Sequence, residues 1–386
     1  MCDMGKMSWI LEAIKKAKFK MKIEAIIRII AGKIAKPSDI IKCALCPNMC
    51  VFACPVGVVD GKETTSPAGK AKVAFLLEKY IEATPETIEP IYICCACNAC
   101  QVWCPFEFSV AEILLPIKQR LYEEGIYLKK VKEIVDNLEK YHFVFGEPPK
   151  RQDKEGEVLL FRGCVVSQYY SQLEETAMNL LETIGLKIKV ISDEKCCGYP
   201  AYIFGANSSF KRIAKETARQ LNELDVKYIV MLCPTCAYTL RNIYAKYGIK
   251  IKHNIYHISE VIKMHLNKIN FNETNMEIVI HDPCALARHL GNSDILYELL
   301  SKIPGLKIKK PMRSGKETFC CGFGGGLALI NYGLAIKIAK ERLKELLEEA
   351  KTIITACPAC KRALESAGGT VYDITEFFHM LIKRTD

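Results

Sequence analysis

An internal repeat written in cysteine limits how this chain can fold more than anything else in it. The stretch KCCGYP at 195–200 has a partner in FCCGFG at 319–324, and both follow the same plan. VLLFRGC is matched by EIVIHDPC, YIVMLCPTC by TIITACPAC, and IYHISEVI by VYDITEFF. Each copy holds five cysteines in one order. The first has Cys164, Cys196, Cys197, Cys233 and Cys236; the second has Cys284, Cys320, Cys321, Cys357 and Cys360. Their offsets are 120 residues (Cys164 to Cys284), 124 (Cys196 to Cys320) and 124 (Cys233 to Cys357). Matched residue types at so steady an offset mean a duplicated unit. Short apolar runs that alternate with helical runs make that unit α/β.

Cys164, Cys233 and Cys357 stand where strand-like runs end, and Cys284 a few residues beyond one. Ligands in open parallel sheets bind beyond the carboxyl ends of the strands. Two five-thiolate pockets are therefore expected at that edge, one per repeat. Adjacent cysteines in an extended chain point opposite ways, so both reach one centre only if the backbone turns sharply. Gly198 and Gly322 permit that turn, and Gly324, Gly325 and Gly326 let backbone approach the site and leave room for a ligand. Five thiolates exceed the four that a zinc ion or a cubane cluster takes.

A second cysteine pattern lies upstream. Cys94, Cys97, Cys100 and Cys104, followed by Pro105, have the bacterial ferredoxin spacing. Cys43, Cys46, Cys50 and Cys54, followed by Pro55, repeat it with one extra residue between the second and third cysteines. In such pairs the fourth cysteine of each run ligates the other cluster. The expected sets are Cys43, Cys46, Cys50 and Cys104 for one 4Fe-4S cubane, and Cys94, Cys97, Cys100 and Cys54 for the other. Structural zinc is the competing reading, but zinc sites rarely use this spacing. Cys95 and Cys2 fall outside the pattern, and Cys95 reads as a buried thiol.

The chain has 386 residues, 20 of them cysteine. Lysines interrupt the opening segment, so no signal peptide is read there, and no run reaches the roughly 18 apolar residues of a spanning helix. Clustered cysteines in a reducing cytoplasm are metal ligands rather than disulfides. The formal charge of +10 is offset by clusters that carry about −2 each with their thiolates. No basic patch interleaved with aromatics occurs, so nucleic acid is not an expected partner.

The sequence thus divides into five parts: a basic amphipathic helical segment (1–40), a two-cubane ferredoxin-like domain of mostly helical pattern (41–145), a polar linker (146–157) and two α/β repeats (158–270 and 271–386). The architecture is α+β and multidomain. Packing on protein and attachment to the cytoplasmic face of a membrane are both open to the 1–40 segment.

This arrangement resembles the CCG, or cysteine-rich, domain of heterodisulfide reductases. The order of modules resembles the heterodisulfide reductase D subunit, and is similar to the iron–sulfur subunits of anaerobic glycerol-3-phosphate dehydrogenase and of glycolate and lactate oxidases. The resemblance covers roughly residues 40–386 and rests on the ten-cysteine pattern. It implies a noncubane 4Fe-4S cluster in one or both repeats, with zinc as the alternative in one, and heterodisulfide cleavage there. The expected function is an iron–sulfur oxidoreductase subunit whose cubanes exchange electrons with CCG clusters, where a small-molecule disulfide is reduced or thiols are oxidised. The alternative is a non-catalytic electron-transfer subunit of a flavin-dependent dehydrogenase that passes electrons to a quinone or another carrier. No GxGxxG follows a strand, so a flavin would belong to a partner flavoprotein, and a membrane-anchor subunit is a further candidate partner. His281, Arg288 and His289 flank Cys284 as candidate proton donors or substrate-charge contacts, though each residue type is more often structural. His257, with Asp373 at the matching place, reads as a helix cap.

Overall fold

The computed structural model describes residues 39–383. The expected basic segment over 1–40, except its last two residues, and Cys2 lie outside the described residues.

Residues 39–145 are helical, and their starts follow local chemistry. Ser66 accepts a hydrogen bond from Gly69 N at 3.0 Å ahead of the helix Pro67–Lys79. Thr84 and Thr87 form a capping box before Pro85–Tyr92, and Ser109 caps Val110–Glu123. Helix Lys129–Tyr141 buries Val131, Ile134, Val135 and Leu138 along one stripe.

Beyond residue 157 the chain forms two parallel sheets of four strands. The first contains β1 (Val158–Phe161), β2 (Ile188–Lys189), β3 (Tyr228–Met231) and β4 (Asn254–His257). The second contains β5 (Glu277–Ile280), β6 (Lys307–Lys309), β7 (Thr352–Thr355) and β8 (Thr370–Asp373). Their orders, β2-β1-β3-β4 and β6-β5-β7-β8, are the same. The register pairs Phe161 with Met231 in one sheet and Ile280 with Ile354 in the other. The polar segment 146–157 is not free of the first sheet, because Lys154 bridges Val190 in antiparallel fashion.

Alternate strand residues enter different cores, as a period of two requires. Leu159, Phe161, Ile229 and Met231 pack with the N-terminal helical module. Val158, Leu160 and Val230 pack on the other face with Ile278, Ile280 and Ile354 of the second repeat. The helix Ser171–Thr183 of the first repeat packs on Ile374–Leu381 of the second. The repeats therefore share one core, and each fully buried Leu or Ile in it contributes on the order of 1.5–3 kcal/mol.

Both repeats end in the same local device. His257 accepts from Ser259 N in a capping box with Glu260, and Asp373 accepts from Thr375 N in one with Glu376. Both residues cap a helix, in keeping with the sequence pattern.

Candidate metal centre

In each sheet the strand order reverses beside the central pair, β1 with β3 and β5 with β7. The connections leave those carboxyl ends in opposite directions and open a crevice between them. Cys164 begins the helix Cys164–Tyr169 just past β1, and Cys233 is the N-cap of Pro234–Tyr238 just past β3. Cys357 caps Pro358–Ser366 past β7, and Cys284 precedes a π-helical turn, Ala285–His289, past β5. The doubled cysteines arrive on matching bends. Gly198 and Gly322 have φ of +78° and +88°, and their N–H groups donate to Cys196 Sγ at 3.4 Å and Cys320 Sγ at 3.5 Å.

The two sets do not occupy two separate pockets. Cys164, Cys197, Cys233 and Cys236 face one cavity of about 380 Å³ together with Cys284, Cys321, Cys357 and Cys360. The remaining members stand behind it: Cys196 lies against Cys164 and Cys197, and Cys320 against Cys284 and Cys321. The sets meet where the Cys233 and Cys357 thiols lie next to one another across the repeats. This differs from the expectation because the shared core turns the carboxyl ends of both sheets toward one another. Phe145, Tyr169, Phe323, Leu329 and Tyr332 supply much of the apolar wall, and Arg362 is the charged side chain on it.

Neighbouring sulfurs and then burial hold the Cys197, Cys236 and Cys360 thiols well above the ordinary range. Cys233 goes the other way beside Cys236 and Cys357, and so does Cys321 beside Cys320 and Cys360. So many buried sulfurs cannot all ionise without cations among them. The donor set is ten soft sulfurs, the cavity lining includes no carboxylate, and every described cysteine is free. That chemistry fits iron with sulfide.

Upstream, Cys54, Cys94, Cys97 and Cys100 line one small pocket with Cys95 and the buried Lys70. Cys46, Cys50 and Cys104 all oppose ionisation of Cys43, whose thiol burial pushes up to about 12. The structure thus brings these cysteines together in two groups.

Five residues join the second repeat to the upstream loop. Arg288 Nε donates to the Cys97 carbonyl, and its Nη1 donates to those of Lys316 at 2.9 Å and Thr318 at 2.8 Å, so it holds backbone rather than substrate. His289 Nε2 lies 2.9 Å from the Ala96 carbonyl on the same upstream loop. A Cβ on Gly324 would lie 2.7 Å from Cys95 O, and one on Gly325 2.2 Å from Cys94 O. These two glycines line the cavity, yet their lack of a side chain also serves docking of the second repeat on that loop. Cys95, a simple buried thiol by sequence, lies at this joint beside Cys320, its Sγ 4.0 Å from the Gly322 carbonyl. The doubled cysteine in ICCACNAC was the one sequence signal for it. Lys70 and Lys118, both buried, carry no sequence signal at all.

Residues 158–241 and 278–365 each match the family described as the cysteine-rich domain, CCG. The B subunit of a fumarate reductase (CoM/CoB) from Methanothermobacter marburgensis is 26% identical over 83% of this chain and 67% of its own length. The D subunit of the dihydromethanophenazine:CoB–CoM heterodisulfide reductase of Methanosarcina barkeri is 27% identical over 73% of this chain and 75% of its own. An EtfAB:quinone oxidoreductase from Syntrophomonas wolfei is 26% identical over 75% of this chain but 46% of its own. A glutamate racemase from Bacillus anthracis covers 59% of this chain and 80% of its own at 15% identity and a TM-score of 0.30, which carries no argument.

Proposed function

We propose that this chain, built on two CCG cysteine-rich domains and related to iron–sulfur oxidoreductase subunits, reduces a disulfide in the cavity between its repeats. The observation that carries this reading is the convergence of eight cysteines, four from each repeat, on one largely apolar cavity. Beside those cysteines the cavity is lined by Phe145, Tyr169, Phe323, Leu329 and Tyr332, an apolar lining of the kind small-molecule sites use.

In this reading Cys43, Cys46, Cys50 and Cys104 hold one 4Fe-4S cubane, and Cys54, Cys94, Cys97 and Cys100 hold another. The five cysteines of each repeat hold a noncubane 4Fe-4S cluster, zinc being the alternative in one. When bound, these groups supply electrons one at a time. Reduction of a disulfide takes two electrons and two protons and yields two thiols, so the protein has to keep the substrate in place between electrons. The shared cavity does this: apolar walls exclude water, and each half presents sulfur donors. Arg362, whose guanidinium lies 4.4 Å over the Tyr169 ring, favours a disulfide with an anionic substituent.

The entry path for electrons runs through the second repeat. Cys320 lies beside Cys97, and Arg288 and His289 tie the same loop to the turn after Cys284. Around the first cysteine set Leu45, Phe52, Trp103 and Phe106 are exposed, and the Phe52 and Trp103 rings meet edge to face at 5.1 Å. Such an apolar rim supports docking of a redox partner, a flavoprotein or another carrier. No described helix is long and apolar enough to cross a membrane.

Protein loaded with iron and sulfide under anaerobic conditions, supplied with a reduced dye, tests the proposal. About eight irons are expected from the cubanes and about four from each occupied repeat. Release of thiol from an organic disulfide, with a thiol-sensitive paramagnetic signal, is the expected result. Full iron content without thiol release overturns catalysis here and leaves the chain an electron-transfer subunit of a flavin-dependent dehydrogenase.

A further inference from the structure

His281 stands three residues before Cys284, where the first repeat has Phe161 three residues before Cys164. It is buried, and its backbone is tied on both sides. His281 N donates to Ile354 O at 2.9 Å, and Thr355 Oγ1 donates to His281 O at 3.0 Å. A ring nitrogen of His281, Cys321 Sγ and Cys360 Sγ all lie within 4.8 Å of one another. That trio has the look of a metal site. A buried arginine changes the reading.

Arg342 Nε donates to His281 Nδ1 at 3.1 Å. A guanidinium can only donate, so Nδ1 has to be the bare nitrogen, and in a neutral ring the hydrogen is then on Nε2. Nε2 is buried without a hydrogen-bond partner, and the Cys321 and Cys360 sulfurs lie within 4.8 Å of a ring nitrogen of His281. Ligation of a metal through Nε2 would require removing that hydrogen as well and burying an imidazolate. Arg342 is itself held by Glu345 at 2.8 Å, so the arrangement is fixed from behind.

We propose that His281 is a positioning residue that donates a hydrogen bond from Nε2–H to the Cys321 sulfur and is not itself a ligand. Such a bond raises the reduction potential of an iron–sulfur group held by the second repeat above that of the first. Phe161 has no donor to offer. The site nearer the upstream loop thus holds the first electron while the second arrives. The inference rests on the iron–sulfur reading of the second repeat.

The test is a redox titration of the iron-loaded full chain, followed by paramagnetic resonance, with His281→Phe and His281→Gln. His281→Phe is expected to shift the one-electron equilibrium of the second site at least about tenfold toward the oxidised form, or 59 mV. The amide of His281→Gln restores most of it. An unchanged potential in His281→Phe overturns the inference and leaves the functional reading standing. A second repeat without iron overturns both. The unmodified protein supplies an independent measurement: a weakly coupled histidine ¹⁵N with an exchangeable proton at the second site is expected. A strongly coupled, ligating nitrogen, or no nitrogen at all, overturns the proposal.

Discussion

The two repeats share cysteine order, sheet order, CCG bend and terminal capping box, yet their surroundings differ in charge. In the first, the cation Arg162 lies between Glu174 at 3.3 Å and Glu194 at 3.5 Å, with Arg151 also reaching Glu174. In the second, one carboxylate, Glu345, is shared by Arg313 at 2.9 Å and Arg342 at 2.8 Å. The first repeat meets the upstream module through backbone and aromatic packing. Lys118 Nζ donates to Ile203 O at 3.2 Å, and Phe204 lies against Tyr92. The second meets it on one loop, where Arg288 and His289 reach the Cys97 and Ala96 carbonyls and Cys320 lies beside Cys97. Duplication copied the positions of the cysteines and left the residues around them free to diverge. Two similar sites can therefore differ in potential and in access to electrons.

The sharpest way to break this comparison is to remove one sulfur from each half of the cavity. Cys321→Ser and Cys197→Ser are each expected to lower dye-driven thiol release roughly 100-fold or more, since ligand loss exceeds the cost of losing a supporting contact. If Cys197→Ser alone leaves turnover intact, the chemistry belongs to the second repeat and the cavity is not shared in function.

Docking gives a smaller effect. Gly325 has φ +61° and faces Cys94 O, whereas the matching place in the first repeat holds Ala201, inside the helix Tyr199–Ile203. Gly325→Ala is expected to cost about 1–3 kcal/mol in urea unfolding and to slow electron delivery to the disulfide. Unaltered stability and rate would show that the upstream loop is not seated there.

The smallest effect separates the capping pairs. Burial raises the Asp373 carboxyl from 3.8 to about 7 and lowers His257 from 6.5 to about 4. Between about 4 and about 7 the folded chain holds the Asp373 proton more tightly than the unfolded chain, so this residue's contribution falls as pH rises. His257 acts in the opposite sense, its contribution rising with pH up to about the ordinary histidine value. Asp373→Asn keeps an acceptor for the cap and removes the falling term. Relative to the parent it is expected to gain on the order of 2 kcal/mol in urea unfolding between about pH 5 and about pH 8. Parallel pH profiles for the two proteins would contradict the buried-carboxyl account.

Much of the candidate site was legible because it is local. The CCG bend follows from two adjacent cysteines and a glycine, and the N-cap positions of Cys233 and Cys357 follow from the proline after each. The grouping of Cys54 with Cys94, Cys97 and Cys100 follows from spacing alone. The single cavity was not legible, nor was the role of Arg288 and His289 on the upstream loop. Those depend on which faces of distant elements meet. Lys70, Lys118 and Arg342 look like surface residues in the sequence, and only packing takes them inside.

By itself the sequence determined which cysteines recur in each repeat and the local device that carries each, because a strand end, a glycine turn and a capped helix are set by residues a few positions apart. The tertiary structure decided that the two sets face each other, that Cys320 of the second touches Cys97 upstream, and that Arg342 settles which His281 nitrogen bears hydrogen. Those relations depend on the burial of two sheets against one core, an energy summed over the whole chain, which no short stretch encodes.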